Sequence, residues 1–160
     1  MSPKSPAATV ISLDHLVLTV RSIPASIEWY TQYLGMRHES FVSAATPDIT
    51  RHSLVFSNQK INLHESGKVG FHFQSCRSLF YIDSFQEFEP KARNFHPGSA
   101  DLCFLTSDDI SEVRTRILNS GVELVDLGNE KSDNGVVLRT GARGKLRSIY
   151  CRDPDDNLIE

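Results

Sequence analysis

Imidazole and carboxylate side chains are what a protein offers to Mn, Fe, Ni or Zn ions and to a proton in transit. The sequence sets His15 at the start of the alternating stretch Leu13-Asp-His-Leu-Val-Leu-Thr-Val20, and it brings Glu160 in behind the turn Asp153-Pro-Asp-Asp156. These two residues are the leading candidates for corners of a metal site. A lone histidine at a strand start is commonly a satisfied surface or core residue, and a carboxylate such as Glu160 can simply be solvated, so the pattern around them has to decide. Thiols offer less: Cys76, Cys103 and Cys151 are odd in number and share no Cys-x-x-Cys spacing. Neither a disulfide framework nor a zinc knuckle is implied, and the three read as reduced, mostly buried thiols of a cytoplasmic protein.

The elements that must carry these groups follow from periodicity. Along the first stretch Leu16, Leu18 and Val20 alternate with His15, Val17 and Thr19, which is the two-residue period of a strand with His15 at its start. Ser22-Ile-Pro-Ala-Ser-Ile-Glu-Trp-Tyr-Thr-Gln-Tyr-Leu-Gly35 has a serine cap, a proline in its first turn, apolar residues at Ile27, Tyr30 and Leu34, and a terminating glycine; it reads as an amphipathic helix. Extended segments follow at about Arg37–Ala44, Arg51–Phe56 and Lys60–Glu65, with turns at Thr46-Pro-Asp and Ser57-Asn-Gln. The order is βαβββ. It then recurs: Ala100–Thr106 reads as a strand and Asp108–Gly121 as a helix with Ile110, Val113 and Ile117 on one side. Extended segments at Val122–Leu127, Lys145–Arg152 and Asn157–Glu160 complete the second unit. A constant offset places Ile27 on Val113, Gly35 on Gly121 and His15 on Asp101. Each unit alone exposes an apolar sheet face, so the two must bury each other's.

Composition narrows the partners. With 39% hydrophobic and 23% charged residues in 160, the chain can bury a core. A net charge of −3 and a pI near 6.1 give no electrostatic reason to expect nucleic acid or an anionic membrane. No run approaches the length of a bilayer-crossing helix, and residues 1–11 read as a disordered leader without the apolar core of a secretory signal. A small molecule is the expected partner.

From Leu13 to Glu160 the pattern resembles the vicinal-oxygen-chelate superfamily, which comprises glyoxalases, bleomycin-resistance proteins and dioxygenases. The resemblance rests on Leu13–Val20, Tyr30-Thr-Gln-Tyr-Leu-Gly-Met36, Lys60-Ile-Asn-Leu-His-Glu65, Glu87-Phe-Glu-Pro-Lys-Ala92, Arg139-Thr-Gly-Ala-Arg-Gly144 and Ser148–Glu160, with the Asp-Pro-Asp turn before Asn-Leu-Ile-Glu the most specific. It implies an α+β fold of two βαβββ modules forming one cupped mixed sheet. Module one would span about 12–68 and module two about 100–160, with an insertion at 69–86 and a linker at 87–99. It also implies a divalent ion (Mn, Fe, Ni, Zn or Mg) held by residues of the first and fourth strands of each module. These positions are His15, the Asn62-to-His64 strand, Asp101 and Glu160, with Glu160 and Asp101 as catalytic groups. Asp101 departs from the His or Gln often found there. Asn62 is a poor ligand, for which His64, two residues on and on the same face, is the substitute. His38, His52, His72 and His96 have no such alignment and read as surface or packing residues. Arg139 and Arg143, with Lys145, fall in a glycine-punctuated loop that would overhang the cup; there a guanidinium can clamp a carboxylate or phosphonate, or the loop is simply solvated.

Two departures stand out. The segment Val69–Gln86 interrupts the family pattern with four phenylalanines and a tyrosine in no clear period. Its length, with a Val codon beginning GT and a Gln codon that can read CAG, fits a translated short intron; an aromatic lid over the cup is the rival. The family also continues its last strand beyond the position of Glu160, so a frayed corner is expected there. The implied function is a metal-dependent lyase or isomerase acting on a small oxygen-bearing substrate. The alternatives are a metal-free sequestration module of the bleomycin-resistance type and an extradiol-type dioxygenase. Members pair modules within one chain or swap them between two, so a homodimer is among the expected forms.

Overall fold

The computed structural model describes residues 7–8, 10–43, 46–66, 92–128 and 133–160. The segment 69–86, for which a translated intron and an aromatic lid were both expected, lies outside the described residues, as do most of the 1–11 leader, His72 and Cys76.

The first unit has the expected order. Strand β1 (His15–Val20), helix α1 (Ile23–Leu34) and strands β2 (Arg37–Ser43), β3 (Thr46–Phe56) and β4 (Gln59–Glu65) form a sheet ordered β1-β4-β3-β2. β1 runs parallel to β4, and the other pairs are antiparallel. Helix α1 starts where the Ser22 side chain accepts from the Ala25 amide and stops at Gly35, whose φ of 63° few other residues adopt without strain. β3 begins at Thr46, where a turn was expected. Its ladder to β4 starts only at His52, so Pro47 lies in a stretch paired on one side alone, where its missing N–H is tolerated.

The second unit departs more. Strand β5 (Asp101–Leu102) and helix α2 (Ile110–Asn119) stand where expected, and Asp109 caps α2 by accepting from the Ser111 and Glu112 amides. Those two bonds hold the Asp109 carboxyl below its ordinary range. Of the expected strand Val122–Leu127 there is one bridge, Leu124 to Cys151, and one hydrogen bond from the Val125 amide to the Tyr150 carbonyl. The stretch read as a loop around Arg139 is instead a hairpin, β6 (Val137–Gly141) with β7 (Gly144–Ser148). β8 (Cys151–Arg152) and β9 (Leu158–Ile159) complete the sheet β5-β9-β8.

One core joins the units. Leu18, Val20, Trp29, Tyr30, Leu54, Ile61 and Leu63 from the first pack with Cys151 and Ile159 from the second. Cys151 is buried, as read from the sequence, and burial pushes its thiol up to about 11; Cys103, by contrast, is exposed.

Polar bonds in the Asp-Pro-Asp turn fix how the units meet. Asp153, Asp155 and Asn157 are buried. Asp153 accepts from the amides of Asp155 and Asn157 with one oxygen, and from Asn157 Nδ2 and the Tyr30 hydroxyl with the other, at 2.8–2.9 Å. Asn157 Oδ1 accepts from the Ala100 amide just before β5, and Asp155 Oδ1 accepts from the Arg21 amide at the end of β1. Gly98 completes the seat, because a Cβ there would stand 2.5 Å from the Asp155 carbonyl oxygen.

Asp155 Oδ2 is buried without a hydrogen-bond partner, and burial raises its carboxyl pKa against the opposing bond from Arg21. A raised carboxyl pKa means that the folded state takes up the proton first, so this group's contribution to stability falls as pH rises from the ordinary carboxylate range through the raised value. Asp155→Asn keeps an acceptor for Arg21 and removes that slope. Urea titrations are expected to show the variant more stable than wild type at neutral pH, with the gap closing as pH falls; a constant gap would refute the assignment.

Candidate functional site

Strand register sorts the candidate side chains. In β1 and β4 the residues Leu18, Val20, Ile61 and Leu63 are buried in the core. The alternate set, with His15 opposite Lys60, Val17 opposite Asn62 and Thr19 opposite His64, therefore occupies the other face. His15 is exposed at the strand start, and its Nδ1 lies 2.6 Å from Asp14 Oδ1, a bond that holds the Asp14 carboxyl below its ordinary range. The pKa of half-buried His64 is lowered too, first by burial and then by the Arg51 charge, which favours its neutral imidazole. Asn62 Oδ1 is buried on this face without a hydrogen-bond partner.

In the second unit Leu102 pairs with Ile159 toward the core, which sets Asp101 on the opposite face, with Cys103 and Glu160 continuing it. Glu160 is not frayed. Its amide donates to the Leu102 carbonyl at 2.8 Å, its carbonyl accepts from the Phe104 amide at 2.9 Å, and Ser148 Oγ donates to Oε1 at 2.6 Å. Tyr150 and Cys103 also engage this carboxylate; burial raises both groups' pKa values, and the Glu160 charge adds to the rise. The Arg139 Nε donates to the Tyr150 hydroxyl at 3.0 Å, with its guanidinium 5.4 Å from the ring centroid. Arg139 thus stands one residue removed from Glu160, on a strand rather than the expected loop, while Arg143 is exposed at the turn of the same hairpin.

Between β1 and β5, edge strands of their two sheets, lies a cleft of about 680 Å³. Thr19, His64, Phe95, His96, Asp101 and neighbouring residues of both strands line it. His64 and Asp101 therefore share one space, whereas His15 and Glu160 are not part of its lining. Among the described residues, no three His, Cys, Asp or Glu side chains come together closely enough to hold one ion. His15, His64, Asp101 and Glu160 as placed do not make a metal centre. Sequence reasoning missed Ser148, Tyr150 and His96. The first two had a signal, since the phase of Ser148, Tyr150 and Arg152 along one extended stretch puts them beside Glu160; His96 follows no period.

The profile of the Glyoxalase/Bleomycin resistance protein/Dioxygenase superfamily matches residues 12–160, and the chain belongs to this family. It is 43% identical over 148 residues to Virulence protein STM3117 of Salmonella typhimurium, covering 92% of this chain and 81% of that one. To Glyoxalase domain-containing protein RDO1 of Mycosarcoma maydis it is 40% identical over 152 residues, covering 95% and 68%. Among solved structures, one from the mobile metagenome of V. Pseudocholerae superposes with a TM-score of 0.72 at 41% identity, covering 95% and 93%. The fold extends to the fosfomycin resistance protein FosX of Listeria monocytogenes, complexed with Mn(II) and a dihydroxypropylphosphonic acid, at a TM-score of 0.53 and 16% identity, covering 94% and 90%. No helix among the described residues is long and apolar enough to cross a membrane.

Proposed function

We propose that the protein is a glyoxalase-like enzyme of the lyase or isomerase type, acting on a small oxygen-bearing molecule bound on the sheet face that Asp101 shares with Glu160, beside the cleft between β1 and β5. The observation that carries this reading is the mounting of Glu160. Its amide is bonded to Leu102 of β5 and its carbonyl to Phe104 just beyond that strand, and its carboxylate is held by Ser148, on the same sheet face as Asp101 at the cleft. A carboxylate fixed in this way is suited to take a proton from a substrate carbon or hydroxyl and return it elsewhere. Neutral His64 can hydrogen-bond a substrate oxygen, and Asp101 can orient a hydroxyl across the same space. Arg139 holds the Tyr150 hydroxyl that stands beside Glu160.

Divalent-ion dependence is the further part of the reading. The mixed imidazole and carboxylate donor set suits Mn, Fe, Ni or Zn, and FosX is seen with Mn(II). Because the four donors do not converge, the acid–base roles fall to the chain's own groups. That same lack of convergence favours a second reading, a metal-free module that binds its ligand unchanged.

Two measurements separate these. Elemental analysis of tag-free protein, loaded with Mn²⁺ or Fe²⁺ and dialysed, is expected to find one equivalent kept by wild type and lost in the His15→Ala, Glu160→Gln double variant; a wild type that retains none removes the ion from this reading. Product analysis by NMR on a panel of thiohemiacetals, epoxides and epimerisable 2-oxo compounds is expected to show turnover of one class. Saturable binding with no product would establish the sequestration module instead.

A further inference from the structure

On the opposite face of the first sheet stands a second group of ligating side chains that the proposed function does not use. The register of β2 and β3 sets His38 opposite Leu54 and His52 opposite Ser40, so the two histidines are diagonal neighbours on the Leu54 face, away from His64 and the cleft. Their rings are stacked, with centroids 5.2 Å apart and planes within 20°, and His38 Nε2 lies 3.0 Å from His52 Nδ1. We propose that His38 and His52 form a two-histidine chelate for a divalent transition ion of the nickel, copper or zinc class.

Three physical points support it. Imidazole nitrogens bind such ions at about 2.0–2.1 Å, so two that share one ion at a tetrahedral or square-planar angle stand roughly 3 Å apart, the separation already present. The bonds that must turn to aim both lone pairs at one point belong to His38, which is exposed and can rotate. Position also helps, since His52 is partly buried and paired in the β2–β3 ladder, so one ligand is already placed while the other adjusts. Waters would complete the coordination shell, since no third His, Cys, Asp or Glu among the described residues joins the pair.

The test uses tag-free protein carrying His15→Ala and Glu160→Gln, so that any ion held near the cleft does not contribute. Isothermal titration with Ni²⁺ and Cu²⁺ is expected to give one equivalent. His38→Ala or His52→Ala in the same background is expected to weaken it on the order of a hundredfold, the loss of a chelate to a single ligand. Electron paramagnetic resonance of the Cu²⁺-loaded protein is expected to show coupling to two imidazole nitrogens, reduced to one in either variant. The more conservative His38→Gln guards against a folding defect, with circular dichroism as the check. An affinity unchanged when both histidines are replaced, or spectra lacking two-nitrogen coupling, overturns the proposal.

Discussion

Asp153→Ala is expected to destabilise the protein by about 4 kcal/mol, lowering the melting temperature by roughly 10 °C for a chain of this size. The carboxyl group accepts four hydrogen bonds in a buried place, two from backbone amides and two from the side chains of Asn157 and Tyr30. Alanine leaves all four donors without a partner, and each orphaned buried donor costs about 1–3 kcal/mol, offset in part by relaxation of the turn. Tyr30→Phe removes only one bond and is expected to cost about 1 kcal/mol, because Asp153 keeps its other three donors. Burial and the nearby Asp153 charge push the Tyr30 phenol above its ordinary pKa, so it remains a donor through the alkaline range. In a double-mutant cycle the two changes should be less than additive, since the Tyr30 bond is lost in both. Urea denaturation with a common slope is the measurement. An Asp153→Ala variant within 1 kcal/mol of wild type would show that the units are joined by apolar packing alone.

The fold was legible in the sequence wherever a local device announced itself. β1 and α1 combine a clean period with a serine cap and a terminating glycine, and each of those signals acts within one turn of its own residue. The hairpin β6–β7 carried no such sign. Its turn residues Ala142 and Arg143 lack the Asn-Gly or Asp-Gly signal, and Leu138, 71% exposed, breaks the alternation that would mark a half-buried strand. Val122–Leu127 failed in the opposite sense, since an apolar stretch that looks like a strand finds only one bridged residue.

At the site, legibility stopped at the edge of a single strand. His15, His64, Asp101 and Glu160 could be put on strands and faces by period-two counting. Their mutual distances depend on how two sheets are set against each other, which no local pattern contains. The acidic turn illustrates the same limit. Asp153-Pro-Asp-Asp156 reads as exposed turn chemistry, yet Asp153, Asp155 and Asn157 are buried because their partners Tyr30, Arg21 and Ala100 arrive from far along the chain. The His38 and His52 pair was read as surface or packing, and only the β2–β3 register makes it a pair.

Glu160→Gln is expected to lower turnover of whichever substrate class the panel reveals by about 10²–10⁴-fold, the usual contribution of a positioned general base. Glutamine keeps the size of the side chain and can still accept from Ser148, so the backbone bonds to Leu102 and Phe104 should hold and stability should change little. Ser148→Ala makes a sharper comparison. It leaves the carboxylate in place but frees it from its 2.6 Å bond, and a loss of roughly tenfold, on the order of 1.4 kcal/mol in the barrier, is expected from looser positioning. The pair distinguishes two roles for Glu160. If it moves the proton, Glu160→Gln lowers kcat far more than it raises KM, and Ser148→Ala lowers kcat with KM and stability little changed. If Glu160 only shapes the sheet, both variants change KM and stability together with no selective loss in kcat, and the assignment of Glu160 as the proton carrier fails.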